Sequence, residues 1–469
     1  MSDPTGAEES ERALRERIAS DMPRTIAELE RLVRIPSMGY PDYDPANVRA
    51  SAEATRDVLR DAGVDNARLL ELDGGHPAVF GELPGPDDAS TVLLYAHHDV
   101  QPEGPLDQWD TSPFEPVIKA GRMYGRGAAD DKSGIVVHAA AIRALLADGA
   151  APVTIKVVIE GEEECSTAHL PDLVKGHADL LRADVAVIAD SGNYRTGVPT
   201  LNASIRGVTD IVVQVRVLPQ ARHSGSFGGP IPDAITALAR MIASLHDDEG
   251  NVAIDGLKRF AWEGTQIPED EFRDESGVLE SVEMIGSGTI ADRVFASPAV
   301  AVLGVDAPAI AGSSNQIVPV ARARVSLRLA PGDDPGAARQ ALVEHLRDHA
   351  PWGVEVTFDG SSGFEAGHGH LVDTSSPTSR AAMDALARAY GRDAIEVGSG
   401  GSIPLVPMLT ETFPGIEILI WGAMDERSFI HSVNESVDLS EIERITLAEA
   451  LFIRNLAGSI GEPGARLNG

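Results

Sequence analysis

Two kinds of strand pattern alternate along the chain, and this alternation constrains the fold more than any other feature of the sequence. The first kind consists of short apolar runs separated by helical patterns, as at 91–96, 153–159 and 185–189. Such runs are typical of a largely parallel sheet covered by helices. The second kind alternates polar and apolar residues, as at 209–217 and 323–329. This period indicates antiparallel strands with one face in water.

The first pattern returns near the C-terminus, with a helical pattern at 376–390 and an apolar run at 416–421. We therefore predict an α/β fold in which residues 1–205 and 369–469 form one discontinuous domain with a central, mostly parallel sheet flanked by helices. Residues 206–368 are predicted to form an inserted α+β domain with an antiparallel sheet. The 469 residues are enough for two cores, because a single core rarely exceeds roughly 250–300 residues.

Charge and composition exclude several classes of partner. The chain has 39 Lys and Arg against 72 Asp and Glu, a net charge of −33. Nucleic acids and anionic membranes bind clustered basic residues, so neither is expected as a partner. The polar N-terminus does not resemble a signal peptide, and no apolar run approaches the ~18 residues of a membrane span. With a single cysteine, Cys165, no intramolecular disulfide can form, and we expect a cytoplasmic protein.

Residues that commonly bind metals stand at the ends of the predicted strands or in the loops near them. They are His97, Asp130, Glu164, Asp190 and His431. Parallel strands place their carboxyl ends at one edge of the sheet, where ligands usually bind. Asp99 follows His97 at a spacing that would put a carboxylate beside the imidazole, a common pairing around metal ligands.

Each of these segments also has a plain structural interpretation when taken alone. A single histidine is more often structural than ligating. Asp130 or Asp131 could cap the helix that follows, because aspartate favours that position. The acidic run at 160–164 could be a solvated charge cluster, and Cys165 is interpreted as a packing residue.

Taken together, the five residues favour a metal site. Two histidines and three carboxylates suit a divalent ion such as zinc, and they suffice for two ions if one carboxylate bridges them. Paired metals are a known arrangement for hydrolysis.

At this point the sequence resembles a known family, the co-catalytic zinc aminoacylases and dipeptidases. This family includes carnosine and cytosolic non-specific dipeptidases, acetylornithine deacetylase and succinyl-diaminopimelate desuccinylase. The resemblance covers nearly the whole chain and is greatest to the dipeptidase branch. It rests on HHDVQP (97–102), YGRGAADDKSG (124–134), IEGEEE (159–164), ADSG (189–192), RHSGSFGG (222–229), GSGGSIP (398–404) and IHSVNE (430–435).

The resemblance implies a role for each motif residue. His97 and Asp190 would bind one metal, Glu164 and His431 the other, and Asp130 both. The metals would be two divalent ions per subunit, zinc first, with manganese or cobalt as alternatives. Glu163 would be the general base and Asp99 would orient His97. A cis peptide bond is implied between Asp130 and Asp131.

The inserted domain would act as a lid and would join two subunits into a homodimer. His223 from one subunit would stabilise the oxyanion in the other, and Arg328 would bind the free carboxylate of a small peptide. Asn315, His368 and Ser402 are further candidates for substrate binding.

These implications point to a dipeptidase, with two other functions left open. An N-acyl-amino-acid deacylase would use the same metals with a different acyl pocket. Ser399 supports that alternative, because the dipeptidases often have an acid before the Gly-Gly pair. A non-catalytic, metal-stabilised binding protein would be expected to lack Glu163, which is present.

Overall fold

The computed structural model describes residues 4–359 and 367–459. The chain divides into two compact units. Unit 1 comprises Met1–Ala203, Val372–Val397 and Ile403–Gly469, and unit 2 comprises Ser204–Leu371 with Gly398–Ser402. The short segment Gly398–Ser402 thus belongs with unit 2, although the sequence pattern assigned it to the other domain. The glycine-rich sequence at 458–469 predicts a frayed end, and residues 460–469 of that segment lie outside the described residues.

The helices and strands have the following bounds. The helices are α1 (Pro4–Val33), α2 (Pro45–Asp61), α3 (Lys132–Leu146), α4 (Leu170–Val174), α5 (Ala178–Leu181), α6 (Ser224–Phe227), α7 (Ala234–Ala243), α8 (Glu269–Ser276), α9 (Pro335–Asp348), α10 (Pro377–Tyr390), α11 (Leu405–Thr412) and α12 (Leu439–Ser459). The strands are β1 (Arg68–Leu70), β2 (Ala78–Leu83), β3 (Thr91–His97), β4 (Val117–Lys119), β5 (Arg122–Tyr124), β6 (Thr154–Glu160), β7 (Val185–Ile188), β8 (Thr200–Ile205), β9 (Gly207–Arg216), β10 (Arg222–His223), β11 (Ala299–Asp306), β12 (Gln316–Ile317), β13 (Val320–Leu329), β14 (Glu355–Asp359), β15 (His370–Leu371), β16 (Ile395–Gly398), β17 (Glu417–Ile420) and β18 (Ser436–Asp438).

The main sheet of unit 1 has the order β1-β2-β6-β3-β7-β17. Its four central and distal strands β6, β3, β7 and β17 are parallel, whereas β1 and β2 pair antiparallel at one edge. Strands β3, β6 and β7 are apolar and buried almost throughout, because helices cover them. Their parallel direction brings their carboxyl ends to one edge of the sheet.

Helix α3 is the most buried helix near this edge. All of its residues except Arg143 and Leu146 are buried, and it packs against β3, α1 and α12. Its apolar sequence therefore fits a helix enclosed on all sides rather than a surface helix. This packing fixes the start of α3, and with it the turn that contains Asp130.

Unit 2 is built on an antiparallel sheet with the order β11-β13-β9-β14. Inward-facing residues of β9 and β13, such as Val213 and Val325, are fully buried against α7 and α9. The polar–apolar alternation of these two strands predicted this arrangement.

The architecture confirms the predicted fold class, a mostly parallel α/β sheet with a separate antiparallel sheet. Strands of two or three residues, such as β1, β4 and β18, did not appear in the sequence pattern. No helix in the described part of the chain is both long and apolar enough to cross a membrane.

Candidate metal centre

Asp130 lies at the centre of the candidate site. Its Oδ1 is 3.0 Å from Nε2 of His97, and its Oδ2 is 3.0 Å from Nε2 of His431. The two carboxylate oxygens of one side chain therefore face two different imidazoles.

Two groups of possible metal ligands share this aspartate. The first is His97, Asp130 and Asp190, and the second is Asp130, Glu164 and His431. Within each group the ligand atoms all lie within 4.8 Å of one another. Nε2 of His97 is 3.9 Å from Asp190, and Nε2 of His431 is 3.3 Å from Glu164.

The parallel strands bring together ligands from both groups. His97 is the last residue of β3, and Asp190 follows β7, which pairs with β3 in parallel. Glu164 follows β6, the other parallel neighbour of β3. Three ligands that are far apart in sequence thus come from adjacent strand ends.

Glu435 holds the turn that presents Asp130. The carboxylate of Glu435 is fully buried, and its Oε1 accepts hydrogen bonds from the backbone N–H of Ala129 (3.0 Å) and Asp130 (3.1 Å). Its Oε2 accepts from Gly127 N–H (3.1 Å) and from the guanidinium of Arg126 (2.6 Å). The carboxylate of Glu435 thus accepts the hydrogen bonds of three backbone N–H groups of the turn, in place of main-chain oxygens.

The aspartate after Asp130 is not a helix cap in the usual sense. The peptide bond between Asp130 and Asp131 is cis. Asp131 occupies the N-cap position of α3, but its side chain makes no capping hydrogen bond. Its Oδ2 instead accepts from the backbone N–H of His97 at 3.3 Å, so its side chain supports the end of β3.

Asp99 contacts both His97 and the acidic segment. Nδ1 of His97 lies 3.1 Å from the main-chain oxygen of Asp99 and 3.5 Å from its Oδ1. The same carboxylate accepts hydrogen bonds from the backbone N–H of Glu163 (3.2 Å) and Glu164 (2.9 Å). Asp99 therefore fixes the positions of His97, Glu163 and Glu164 relative to one another.

The four acids of the run 160–164 separate into two pairs. Glu160 accepts a hydrogen bond from the hydroxyl of Tyr95 (2.9 Å), and Glu162 lies 2.8 Å from Nδ1 of His169. Glu163 and Glu164 remain for the site. The alternative of a solvated charge run does not apply, because Glu160, Glu162 and Glu164 are buried.

The electrostatics of the site favour a bound cation. Burial raises the pKa of Glu163 well above its usual range, and the neighbouring Asp190 and Glu164 raise it further. Burial and Asp130 raise the pKa of Asp190 to about 7. Burial lowers the pKa of His431, but its hydrogen bonds to Asp130 and Glu164 outweigh burial and raise that pKa to about 11. A divalent ion would relieve this crowding of carboxylates, and the oxygen and imidazole donors suit it.

Sequence reasoning missed two residues that hold Glu164. The side-chain amide of Gln101 donates to Oε2 of Glu164 at 2.6 Å, and the hydroxyl of Tyr40 donates to the main-chain oxygen of Glu164 at 2.7 Å. Tyr40 also bonds to Gln101 at 3.0 Å. Gln101 stands within the HHDVQP motif and could have been found there, whereas Tyr40 has no sequence signal near the site.

His431 has an unusual backbone. Its φ is 59°, and two residues of the same segment, Phe429 (48°) and Asn434 (61°), are also left-handed. Left-handed residues other than glycine cost of order 1 kcal/mol or more and concentrate at functional sites. The half-exposed imidazole of His431 is thereby directed at Asp130 and Glu164.

The other predicted site residues all belong to unit 2. Arg328 on β13 is partly buried and donates from Nη1 to Oγ of Ser402 at 2.9 Å. His223 on β10 lies exposed, opposite Gln316 of β12. The main-chain oxygen of Asn315 accepts from the N–H of Ser224 at 2.9 Å, so His223 and Asn315 are near neighbours.

His368 lies next to the β9–β13 pair that carries Arg328, since Val208 is the β9 partner of Arg328. It is exposed and follows Gly367, which pairs with Val208 in an isolated bridge.

Comparison with known proteins identifies the family. Residues 93–455 match the peptidase family M20/M25/M40. The chain belongs to this family. It is 35% identical over 440 residues to the cysteinylglycine-S-conjugate dipeptidase of Corynebacterium striatum, covering 92% of this chain and 95% of that protein. It is 26% identical over 462 residues to the Cys-Gly metallodipeptidase DUG1 of Saccharomyces cerevisiae, covering 91% and 94%.

Solved structures agree at the level of the fold. The structure of the dipeptidase Dug1p from Saccharomyces cerevisiae superposes with a TM-score of 0.82 at 22% identity, covering 97% of this chain and 99% of that one. Human carnosine dipeptidase 1 gives a TM-score of 0.80 at 22% identity, covering 96% and 99%. The predicted resemblance to this family and its dipeptidase branch is confirmed, and family and donor set together indicate a metal-dependent peptidase with divalent metals.

Proposed function

We propose that this M20 peptidase hydrolyses dipeptides or short peptides that carry a free C-terminal carboxylate, using two zinc ions. The observation that carries the proposal is the position of Asp130 between His97 and His431, where one carboxylate serves two ligand groups. The relatives named as dipeptidases support the substrate class. Manganese or cobalt remain alternatives, because the same mixed donors also bind those ions.

In this proposal Glu163 moves the proton. Two bound metal ions would lower the pKa of a water molecule and polarise the scissile carbonyl. Glu163 takes a proton from that water and passes it to the leaving amine. Burial raises the pKa of Glu163 above that of an exposed glutamate, and a more basic carboxylate accepts the proton of the water more readily. The backbone N–H of Glu163 is bonded to Asp99, which limits the movement of the base.

The residues of unit 2 would bind the substrate. Arg328 is proposed to bind the C-terminal carboxylate, and its bond to Ser402 supports a shared binding surface. His223 would donate to the developing oxyanion, and Asn315 and His368 would contact the substrate. In support, His223 and Asn315 are exposed and lie beside each other.

A homodimer formed through the inserted domain belongs to the same proposal. Strand β11 is an edge strand with three exposed apolar residues, Val302 (38% exposed), Leu303 (58%) and Val305 (54%). Edge strands of this kind are normally covered or protected by charge. Pairing of β11 with its symmetry mate would cover it, and His223 could then act in the partner's site. A cytoplasmic location is also retained as a proposal.

The main alternative is an N-acyl-amino-acid deacylase, favoured by Ser399 in place of the acid common in the dipeptidases. A substrate panel separates the two functions. Free dipeptides, their C-terminal amides and N-acetyl amino acids are incubated with the zinc-, manganese- and cobalt-loaded protein. We expect free dipeptides to be cleaved, and their amides at least about tenfold more slowly, since an unpaired buried arginine costs ~1–3 kcal/mol. Faster cleavage of N-acetyl amino acids would establish the deacylase, and equal cleavage of free and amidated dipeptides would contradict the role of Arg328.

A further inference from the structure

Arg206 is a buried arginine that forms no ion pair with an acidic side chain in the part of the chain that the structure describes. It stands between β8 and β9 and is only 4% exposed. Its Nη2 donates to the main-chain oxygen of Ser297 and, at 3.5 Å, to that of Arg328. Its Nε has no hydrogen-bond partner among the described residues. A buried guanidinium is normally paired with a carboxylate, so this arrangement needs an explanation.

A second cation lies beside it. The charge of Arg328 is close enough to act on Arg206: burial, and after it the charge of Arg328, lowers the pKa of Arg206 to about 10. Neither arginine forms an ion pair within 4 Å among residues 4–359 and 367–459, and no carboxylate acts on the pKa of either one. Two like charges held together without a counter-ion destabilise the fold unless an anion binds between or beside them.

Neutral polar groups surround the pair. The backbone N–H of Arg206 donates to the main-chain oxygen of Gly401 at 2.8 Å, and Ser399 N–H donates to the main-chain oxygen of Ser204 at 2.7 Å. These bonds fix the glycine-rich segment that carries Ser402. The buried hydroxyl of Ser204 has no partner in the described chain. Among the described residues, the groups bonded to Arg206 and Arg328 are main-chain oxygens and a hydroxyl, with no carboxylate among them.

We infer that Arg206 positions Arg328 and adds a second positive charge for recognition of the substrate's carboxylate. Arg206 supports the β13 backbone at Arg328 through its guanidinium and the Ser402 segment through its own backbone. Arg206 thus bonds both to the backbone of Arg328 and to the segment that carries Ser402, the side-chain partner of Arg328, and its charge adds to that of Arg328. This inference rests on the proposed function, since it requires a substrate with a free carboxylate.

The test compares Arg206→Met with Arg206→Lys on a free dipeptide and its C-terminal amide. For Arg206→Met we expect KM for the free dipeptide to rise about tenfold or more, with kcat changed less than about threefold. KM for the amide should stay the same. Arg206→Lys, which keeps the charge, should recover part of the loss. Arg216→Met is the matched control, because Arg216 is an exposed arginine at the end of β9 in the same sheet.

Two results would overturn the inference. One is an unchanged KM for the free dipeptide, and the other is an equal loss of activity on the free dipeptide and the amide, which a purely structural role would produce. If Arg206→Met does not fold, Arg206→Gln replaces it, and the same two results decide. Failure of the proposed function is recognised separately, because the wild-type protein would then cleave neither substrate.

Discussion

Glu163 and Glu164 are adjacent in sequence but contact different groups. Glu164 lies 3.3 Å from His431 and accepts a hydrogen bond from Gln101, whereas the pKa of Glu163 is raised by burial and by Asp190. We propose that Glu164 acts as a metal ligand and Glu163 as the proton carrier. Their difference can be tested one residue at a time.

We predict that Glu163→Gln keeps two metal ions per chain but lowers kcat by about 10²–10⁴, because only the proton transfer is lost. Glu164→Gln should instead lose bound metal, since an amide is a weaker ligand than a carboxylate. Elemental analysis after dialysis and initial rates on a free dipeptide measure both effects. Glu162→Gln is the matched control, because Glu162 is bonded to His169 and should affect neither. Near-normal turnover by Glu163→Gln would show that another group is the base.

Single residues of the site also show which contacts the sequence predicted and which it did not. The motifs predicted the convergence of His97, Asp130 and Glu164, because strand ends and glycine-rich turns have clear patterns. The supporting contacts of Glu435 and Tyr40 could not be predicted from the same patterns. Such contacts depend on how distant segments pack, and a lone tyrosine in a loop has no period or motif.

Strand β11 lies at the edge of its sheet, and no second strand in the described part of the chain pairs with its outer side. It pairs with β13 along one edge only, and Leu303 falls at an irregularity of that pairing. A change at Leu303 is therefore not expected to disturb β13. The exposed side chains Val302, Leu303 and Val305 lie in consecutive or nearly consecutive positions, as expected for a surface that another chain covers.

We predict that Leu303→Glu converts a dimer to a monomer, measured by analytical ultracentrifugation. If His223 acts in the partner's site, the monomer should keep its metal ions and lose most of its turnover. Leu279→Glu is the control, because Leu279 is also exposed (71%) but lies outside the sheet. A wild-type monomer with full activity, or a fully active Leu303→Glu monomer, would contradict the proposed role of the dimer.

The length of a helix or strand determined whether the sequence pattern predicted it. The sequence patterns predict helices over 133–148 and 376–390, and the helices α3 (Lys132–Leu146) and α10 (Pro377–Tyr390) start and end within two residues of those bounds. The apolar period near the N-terminus predicts a helix over 11–34, whereas α1 begins at Pro4, because the sequence of its first turns is polar and lacks a period. The three-residue strands β4, β5 and β18 escaped prediction for a related reason, since so short a segment has no measurable alternation.

At the scale of the whole chain, a strongly acidic protein concentrates part of its charge in one buried cluster. The net charge is −33, and the ligand groups place three carboxylates around two imidazoles. Such a cluster is costly without cations, because each carboxylate raises the pKa of its neighbours. Bound metals are therefore expected to stabilise unit 1 as well as to support catalysis.

The most direct test of this account is a metal titration of the chelator-treated protein. Zinc is added in steps while bound metal, thermal stability and hydrolysis of a free dipeptide are measured on the same sample. We predict binding of two ions per chain, a rise in the unfolding temperature, and turnover that is absent in the metal-free protein and restored by the metal. Manganese and cobalt added in parallel identify the preferred ion. Full hydrolysis by protein shown to be free of metal would contradict the account.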